Sequence, residues 1–500
     1  MRRAMSRARI AGLLLPGLVA ACMPVDSDSV VVADFAPPAL ERVHGAPRRL
    51  TSVTIDGERF LVNGQPTYPG RVWTSPGGEE YRIEGLLMNA RLVQGVFDDM
   101  NPATRGQWAY PDTRRWDPDR NTREFIDAMA AWREHGLVGF TINLQGGCPY
   151  GYCRGQAWDN GAFEPDGSLR PAFMERLARI LDHADELGMI PIVGYFYFGQ
   201  DERLEDEAAV VRAVTNATEW ILDSGYRNVL IEINNECNVS YDHAILRCNR
   251  VHELIELAKR VSRDGQRLYV STSLGGGSVP PPAVVAASDF VIIHGNSTNP
   301  ARIRAMVGEI RAMDVYEPKP IVNNEDDRPW RDGNYGWNAA DNNLIASLEN
   351  YAGWGFFDFR QAQEQGDINQ GYQSVPVNWQ ISSGRKRVFF ELLSEITGHP
   401  GTPFVGVSWA SEPGRGTVRL DLTGTTARSI DVDRVEIVVN DSVYATLSNV
   451  PGEFQIQLPE TEHWVRARLR YRSESGTEVV VESPYVRNPW WPYGGMQTGN

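Results

Sequence analysis

The sequence predicts an α/β chain, a (β/α)8 TIM barrel followed by a small C-terminal antiparallel β-sandwich. Two observations carry that prediction. From about residue 83, short apolar runs ending in polar or aromatic clusters alternate with amphipathic stretches, and repeated strand-then-helix units build a parallel sheet. Eight such units over about 310 residues fit a (β/α)8 barrel with insertions. After Gly398-His399-Pro400 the helical period vanishes and two-residue alternation replaces it. An open doubly wound sheet is the alternative, but no GxGxxG follows a first strand. At 500 residues the chain is too long for one ordinary core, which suits a barrel with an appendage.

The elements follow in order. Arg2, Arg3, Arg7 and Arg9 precede the apolar run 10–20, the pattern of a secretory signal too short to span a bilayer. Its end, Leu18-Val19-Ala20-Ala21-Cys22, resembles the bacterial lipoprotein lipobox, which implies that Cys22 is lipidated; an ordinary cleaved signal is the alternative. Residues 1–22 are thus read as signal. Residues 23–48 form a polar tether containing Pro37-Pro38. Residues 49–400 hold a hairpin lead-in and the barrel, 401–488 the sandwich and 489–500 a tail. In the lead-in, 53–68, Asp56-Gly57 and Asn63-Gly64 punctuate short β-rich runs.

The expected barrel strands are 85–96, 137–144, 190–198, 228–236, 268–272, 290–294, 320–323 and 353–359. One expected helix runs from Asn121, an N-cap with Glu124 three residues on, to Gly136. Another opens at Pro171 and closes at Gly188, burying Phe173, Leu177, Ile180, Leu181 and Ala184. Segments 205–224, 251–261 and 385–396 show the same period. In the sandwich, Val465, Ala467, Leu469 and Tyr471 alternate with Arg466, Arg468 and Arg470, so one face is expected dry and the other wet.

The formal charge is −15, and loss of the signal arginines makes the mature chain more acidic still. Such a surface repels phosphate backbones and anionic lipid, so neither nucleic acid nor a membrane surface, beyond the anchor itself, is expected as a partner. With Cys22 assigned to the anchor, Cys148, Cys153, Cys237 and Cys248 remain. Export permits disulfides. Close spacing favours Cys148–Cys153 and Cys237–Cys248 among the three possible pairings. The spacings lack the short CxxC pairs of zinc sites, and no metal or cofactor is expected.

Active sites of such barrels form where strands end. The fourth strand ends in Glu232-Ile233-Asn234-Asn235-Glu236, the seventh in Asn323-Asn324-Glu325. Two carboxylates facing each other across a barrel mouth suit cleavage of a glycosidic bond: one protonates the leaving oxygen, the other attacks the anomeric carbon or activates water. A structural ion pair or a metal site could use the same pair, although few histidines accompany it. A register slip on the seventh strand would substitute Asp326 or Asp327 for Glu325.

The Glu-x-x-Asn-Glu tip resembles the fourth-strand motif of clan A glycoside hydrolases, the cellulase- and mannanase-like barrels. The resemblance covers the barrel region and implies a retaining β-glycosidase without a cofactor, acting on a carbohydrate. By it, Glu236 is the acid/base, Glu325 the nucleophile, and Asn235 the partner of the sugar 2-hydroxyl. His294 sits where the clan often has a sixth-strand His. There are departures: Cys237 follows Glu236 where Pro is usual, Asn143 and Gln145 stand in place of the second-strand Arg, and Gly295 follows His294. Arg91, on the first strand, is the candidate to supply the missing charge. Strand period places Glu232 below the catalytic layer in a structural role. Glu236 must begin protonated, so an ionised Glu325 nearby should raise its pKa.

Aromatic residues near the tips suit the flat C–H faces of sugars: Tyr195, Tyr197, Trp379, Tyr150, Tyr152, Trp158, Trp330 and Trp337. Asp98-Asp99 and Gln200-Asp201 are hydroxyl partners or simple turn residues. Other functions stay open: a non-catalytic glycan-binding lipoprotein on the same scaffold, or a metal-dependent hydrolase, which would need a His/Asp cluster where only His294 qualifies.

Overall fold

The computed structural model describes residues 49–150, 156–326, 341–358, 371–410, 415–423, 432–447, 453–457 and 464–487. The signal with Cys22, the tether, Tyr152, Cys153, Asp327, Trp330, Trp337 and the tail lie outside the described residues.

Eight parallel strands form the predicted barrel sheet: β1 (Asn89–Arg91), β2 (Gly139–Asn143), β3 (Ile190–Phe196), β4 (Leu230–Asn234), β5 (Tyr269–Ser271), β6 (Val291–His294), β7 (Ile321–Asp326) and β8 (Gly353–Phe356). The ladder runs β5-β4-β3-β2-β1-β8-β7-β6. Its two ends are joined near the base, where Asp289 N–H donates to the Val270 carbonyl (3.0 Å). A helix follows each strand: α1 (Pro118–Glu134), α2 (Pro171–Glu186), α3 (Glu207–Asp223), α4 (Val251–Arg260), α5 (Pro282–Ala287), α6 (Pro300–Arg311), α7 (Asn343–Glu349) and α8 (Gly384–Thr397). The lead-in is the expected hairpin, Val53–Asp56 against Arg59–Val62, turning at Gly57 with φ 57°.

Helix α1 starts earlier than expected. Asp117 caps it, accepting from Arg120 N–H, and Pro118 occupies the first turn, where a missing N–H is harmless. Asn121 is instead an interior residue, its amide donating to the carbonyls of Gln94 (2.8 Å) and Gly95.

The C-terminal strands are β9 (Phe404–Ala410), β10 (Arg415–Thr423), β11 (Val432–Val439), β12 (Ser442–Leu447), β13 (Glu453–Gln457), β14 (Trp464–Arg472), β15 (Glu478–Glu482) and β16 (Val486–Arg487). They form two antiparallel sheets, β9-β10-β13 and β12-β11-β14-β15, with β16 on β14. Val405 and Leu420 of one pack with Val435, Ile437, Val465, Ala467 and Leu469 of the other. The arginine face of β14 is only partly wet: Arg468 and Arg470 are half-buried, and Arg466 is covered. Arg466 is 1% exposed and pairs with Glu124 of α1 (3.2 Å) and with Glu482 (3.0 Å). Alternation marks two faces but does not say which partner covers the polar one.

Candidate active site

Residues from five strand ends meet inside the barrel mouth. Arg91 closes β1. Its Nη2 donates to Asn235 Oδ1 (2.6 Å), Nη1 lies 3.4 Å from Glu232 Oε2, and Nε pairs closely with Glu325 Oε2. Glu232 also accepts from Ser273 Oγ (2.5 Å) and Asn324 Nδ2 (3.3 Å). A buried carboxylate held by this many donors is a strut, as strand period suggests.

Alternation alone does not place the two outer carboxylates. Strand β4 ends at Asn234, and Glu236 lies beyond it in the left-handed region, φ 54°. A non-glycine residue held there costs about 1–2 kcal/mol. Ser273 fixes the turn by accepting the Glu236 backbone N–H (2.9 Å) at the same oxygen that donates to Glu232. On β7, Ile293 pairs with Asn323 but His294 pairs with Glu325, so Asn324 is an extra, bulged residue. The bulge lets Asn324 and Glu325 both turn inward, one to Glu232 and one to Arg91. Asp326 faces outward, accepting from Asn323, Asn343 and Trp354, which leaves Glu325 as the inward carboxylate.

His294 bridges the pair. Its Nδ1 lies 2.9 Å from Glu236 Oε1 and 3.6 Å from Glu325 Oε2, and Nε2 is 4.0 Å from Glu232. Asn296 Nδ2 donates closely to the other oxygen of Glu325. Burial disfavours the imidazolium, yet the charges of Glu325 and Glu236 outweigh it and the His294 pKa rises. Burial raises the Glu325 carboxyl; Arg91 and His294 oppose this, Glu236 adds to it, and the net shift is upward. Glu236 is the more open of the two carboxylates, with 14% of its side chain exposed against 6% for Glu325.

Glu236, His294 and Glu325 each offer a ligand atom within 4.8 Å of the others. A cation there would compete with the Arg91 guanidinium on Glu325 and with the proton that the carboxylates favour on His294. The set is better matched to proton transfer.

Tyr197 belongs to the cluster: burial, then the charges of Glu325 and Glu236, push its phenol well up, so it remains a donor. Asn143 faces the interior beside Gly194, and neither atom of its buried amide has a partner among the described residues. Two expected contacts are not brought to the site. Tyr195 points outward to Thr218 on α3 (3.0 Å), and Trp379 packs on α1, donating to Asn121 Oδ1 (3.0 Å). Asp98 and Asp99 are turn residues, accepting from the Trp116 and Trp108 indoles. Tyr150 and Trp158 pack around Trp108. Sequence reasoning missed Ser273 and Asn296, short polar residues whose roles depend on where β5 and β6 stop.

Of the expected disulfides, Cys237–Cys248 is formed, with 5.0 Å between Cα atoms. Cys148 is disulfide-bonded too.

No protein-family model matches the chain, and no curated protein does. Solved structures that align with it include glycosidases. They include a Bacteroides uniformis β-glucuronidase (10% identity, 87% of this chain and 48% of that one, TM-score 0.39). A Thermotoga maritima β-glucosidase aligns at 9% identity over 63% of this chain and 99% of its own, TM-score 0.38. A Rhizomucor miehei endo-1,4-β-mannanase aligns at 10% identity over 61% and 89%, TM-score 0.37. The chain spans about half the length of the β-glucuronidase. At these scores the alignments bear on neither activity nor substrate.

Proposed function

We propose that this chain is a retaining β-glycoside hydrolase. One observation carries the reading: Glu236, just beyond β4, and Glu325 of β7 each bring one carboxylate oxygen within 4.8 Å of the other across the barrel mouth. Retaining enzymes hold their carboxyls about 5–5.5 Å apart, whereas inverting ones leave about 6.5–9.5 Å for a water. In this reading Glu325, aimed by Arg91 and Asn296, attacks the anomeric carbon. Glu236 first gives its proton to the leaving oxygen and then takes one from the water that releases the sugar. His294 Nδ1 sits beside both carboxylates and orients Glu236. Asn235, Asn143 and Tyr197 are the proposed sugar hydroxyl partners.

We further propose export and a lipid anchor at Cys22, with 23–48 as tether, 49–400 as catalytic unit and 401–488 as brace. The Cys237–Cys248 disulfide supports an oxidising compartment. The test is turnover of the chain beginning after Cys22 on β-glycans and aryl β-glycosides, with and without chelator, with the first-formed anomer read by NMR. Turnover that survives chelation with the β-anomer first supports the reading. Loss of turnover on chelation that zinc restores and calcium does not favours a metal hydrolase, and glycan binding without turnover favours a lectin-like scaffold.

A further inference from the structure

A second cluster of acids lies outside this machinery. Asp201 follows β3, and Asp242 lies on the loop after β4, between Glu236 and α4. With Glu202, each presents a carboxylate oxygen within 4.8 Å of the others. Asp201 is fully buried. Its Oδ2 accepts the backbone N–H groups of Asp242 (2.9 Å) and His243 (3.2 Å), while Oδ1 is buried without a partner among the described residues. Among the described residues none of the three acids forms an ion pair. The nearby Arg247 donates to the carbonyls of Tyr241 and Asp242, and His243 Nε2 faces the carbonyls of Asp201 and Leu204.

Three like charges in that space repel one another, and one of them is desolvated. A divalent cation would relieve both costs. The donors are all oxygen, which selects a hard cation over zinc. Calcium–oxygen distances of about 2.3–2.6 Å put opposite ligands roughly 4.6–5.2 Å apart, a sphere that encloses this trio. Magnesium, at about 2.0–2.1 Å, demands a near-ideal octahedron that acids split between two loops supply poorly. Glu202 and Asp242 are exposed, so water can complete the shell.

We propose that Asp201, Glu202 and Asp242 form a calcium site that fastens the Glu236-bearing loop to the loop after β3. The disulfide Cys237–Cys248 staples that loop to itself; the ion would staple it to its neighbour. The site does not depend on the glycosidase reading.

The test uses the full chain, calcium chloride against chelator, with thermal unfolding and hydrogen exchange as readouts. Calcium should raise Tm in a concentration-dependent manner, more than magnesium at equal concentration, and slow exchange across 237–248. In Glu202→Gln/Asp242→Asn, two exposed changes that leave the core intact, that response should vanish while Tm in chelator stays at or above wild type. Identical melting and exchange with calcium and with chelator would overturn the proposal. So would a double variant that responds as wild type does, or a magnesium response equal to that of calcium.

Discussion

Two buried charge networks invite comparison: the barrel mouth, and the seam between α1 and the sandwich. At the seam, Glu124 lies between two arginines, Arg120 (2.9 Å) and Arg466 (3.2 Å). Burial raises its carboxyl, but the two guanidiniums win and the pKa falls below the ordinary value. At the mouth, Glu325 has one arginine, one imidazole and a second carboxylate nearby, and its pKa rises. The same residue type, buried in both places, has its carboxyl pKa lowered in one and raised in the other. A carboxylate saturated with cations is a rivet, whereas an undersupplied one is available for chemistry.

Substitutions can break that contrast. Glu325→Gln should abolish turnover, and Glu236→Gln should lower it by about 10²–10⁴-fold on unactivated substrates, both folding normally. Next in size, Arg91→Met and Arg466→Met each strand buried acids, and each should cost about 3–5 kcal/mol in urea unfolding. Only Arg91→Met should also lower kcat per folded molecule, since Arg466 serves the seam alone.

Acidity should separate the networks further. The raised pKa values of Glu325 and His294 contribute stability present below their ordinary values of 4.5 and 6.5, lost as pH rises through the folded values. The lowered Glu124 has the opposite sign: its contribution is present above 4.5 and lost as pH falls through its folded value. Glu325→Gln should therefore gain Tm relative to wild type as pH rises above about 4.5, whereas Glu124→Gln should lose most above about pH 4.5. The smallest effect is Tyr195→Phe, which removes one buried hydrogen bond worth about 1 kcal/mol and should leave kcat and KM unchanged.

Much of the barrel was legible because burial imposes a period. Seven of the eight expected strands include their whole observed counterparts, and β7 alone runs on, to Asp326. The order of polar strand ends pointed to Arg91, Glu236, His294 and Glu325 as one set. What stayed hidden depends on departures from period. The bulge at Asn324 and the left-handed Glu236 are set by neighbouring strands. Tyr195 and Tyr197 share a sequence parity, yet β3 stops at Phe196, so only Tyr197 feels the charge of the two carboxylates. Arg466 reads as a surface residue until α1 covers it.

The most direct measurement compares wild type, Glu236→Gln and Glu325→Gln on a series of aryl β-glycosides whose phenol leaving groups grow more acidic. A good leaving group needs no proton. The Glu236→Gln deficit in the first step should therefore shrink along the series, while Glu325→Gln stays inactive throughout. Equal deficits for both variants at every leaving group, or turnover that neither substitution alters, would contradict the assignment of these two carboxylates.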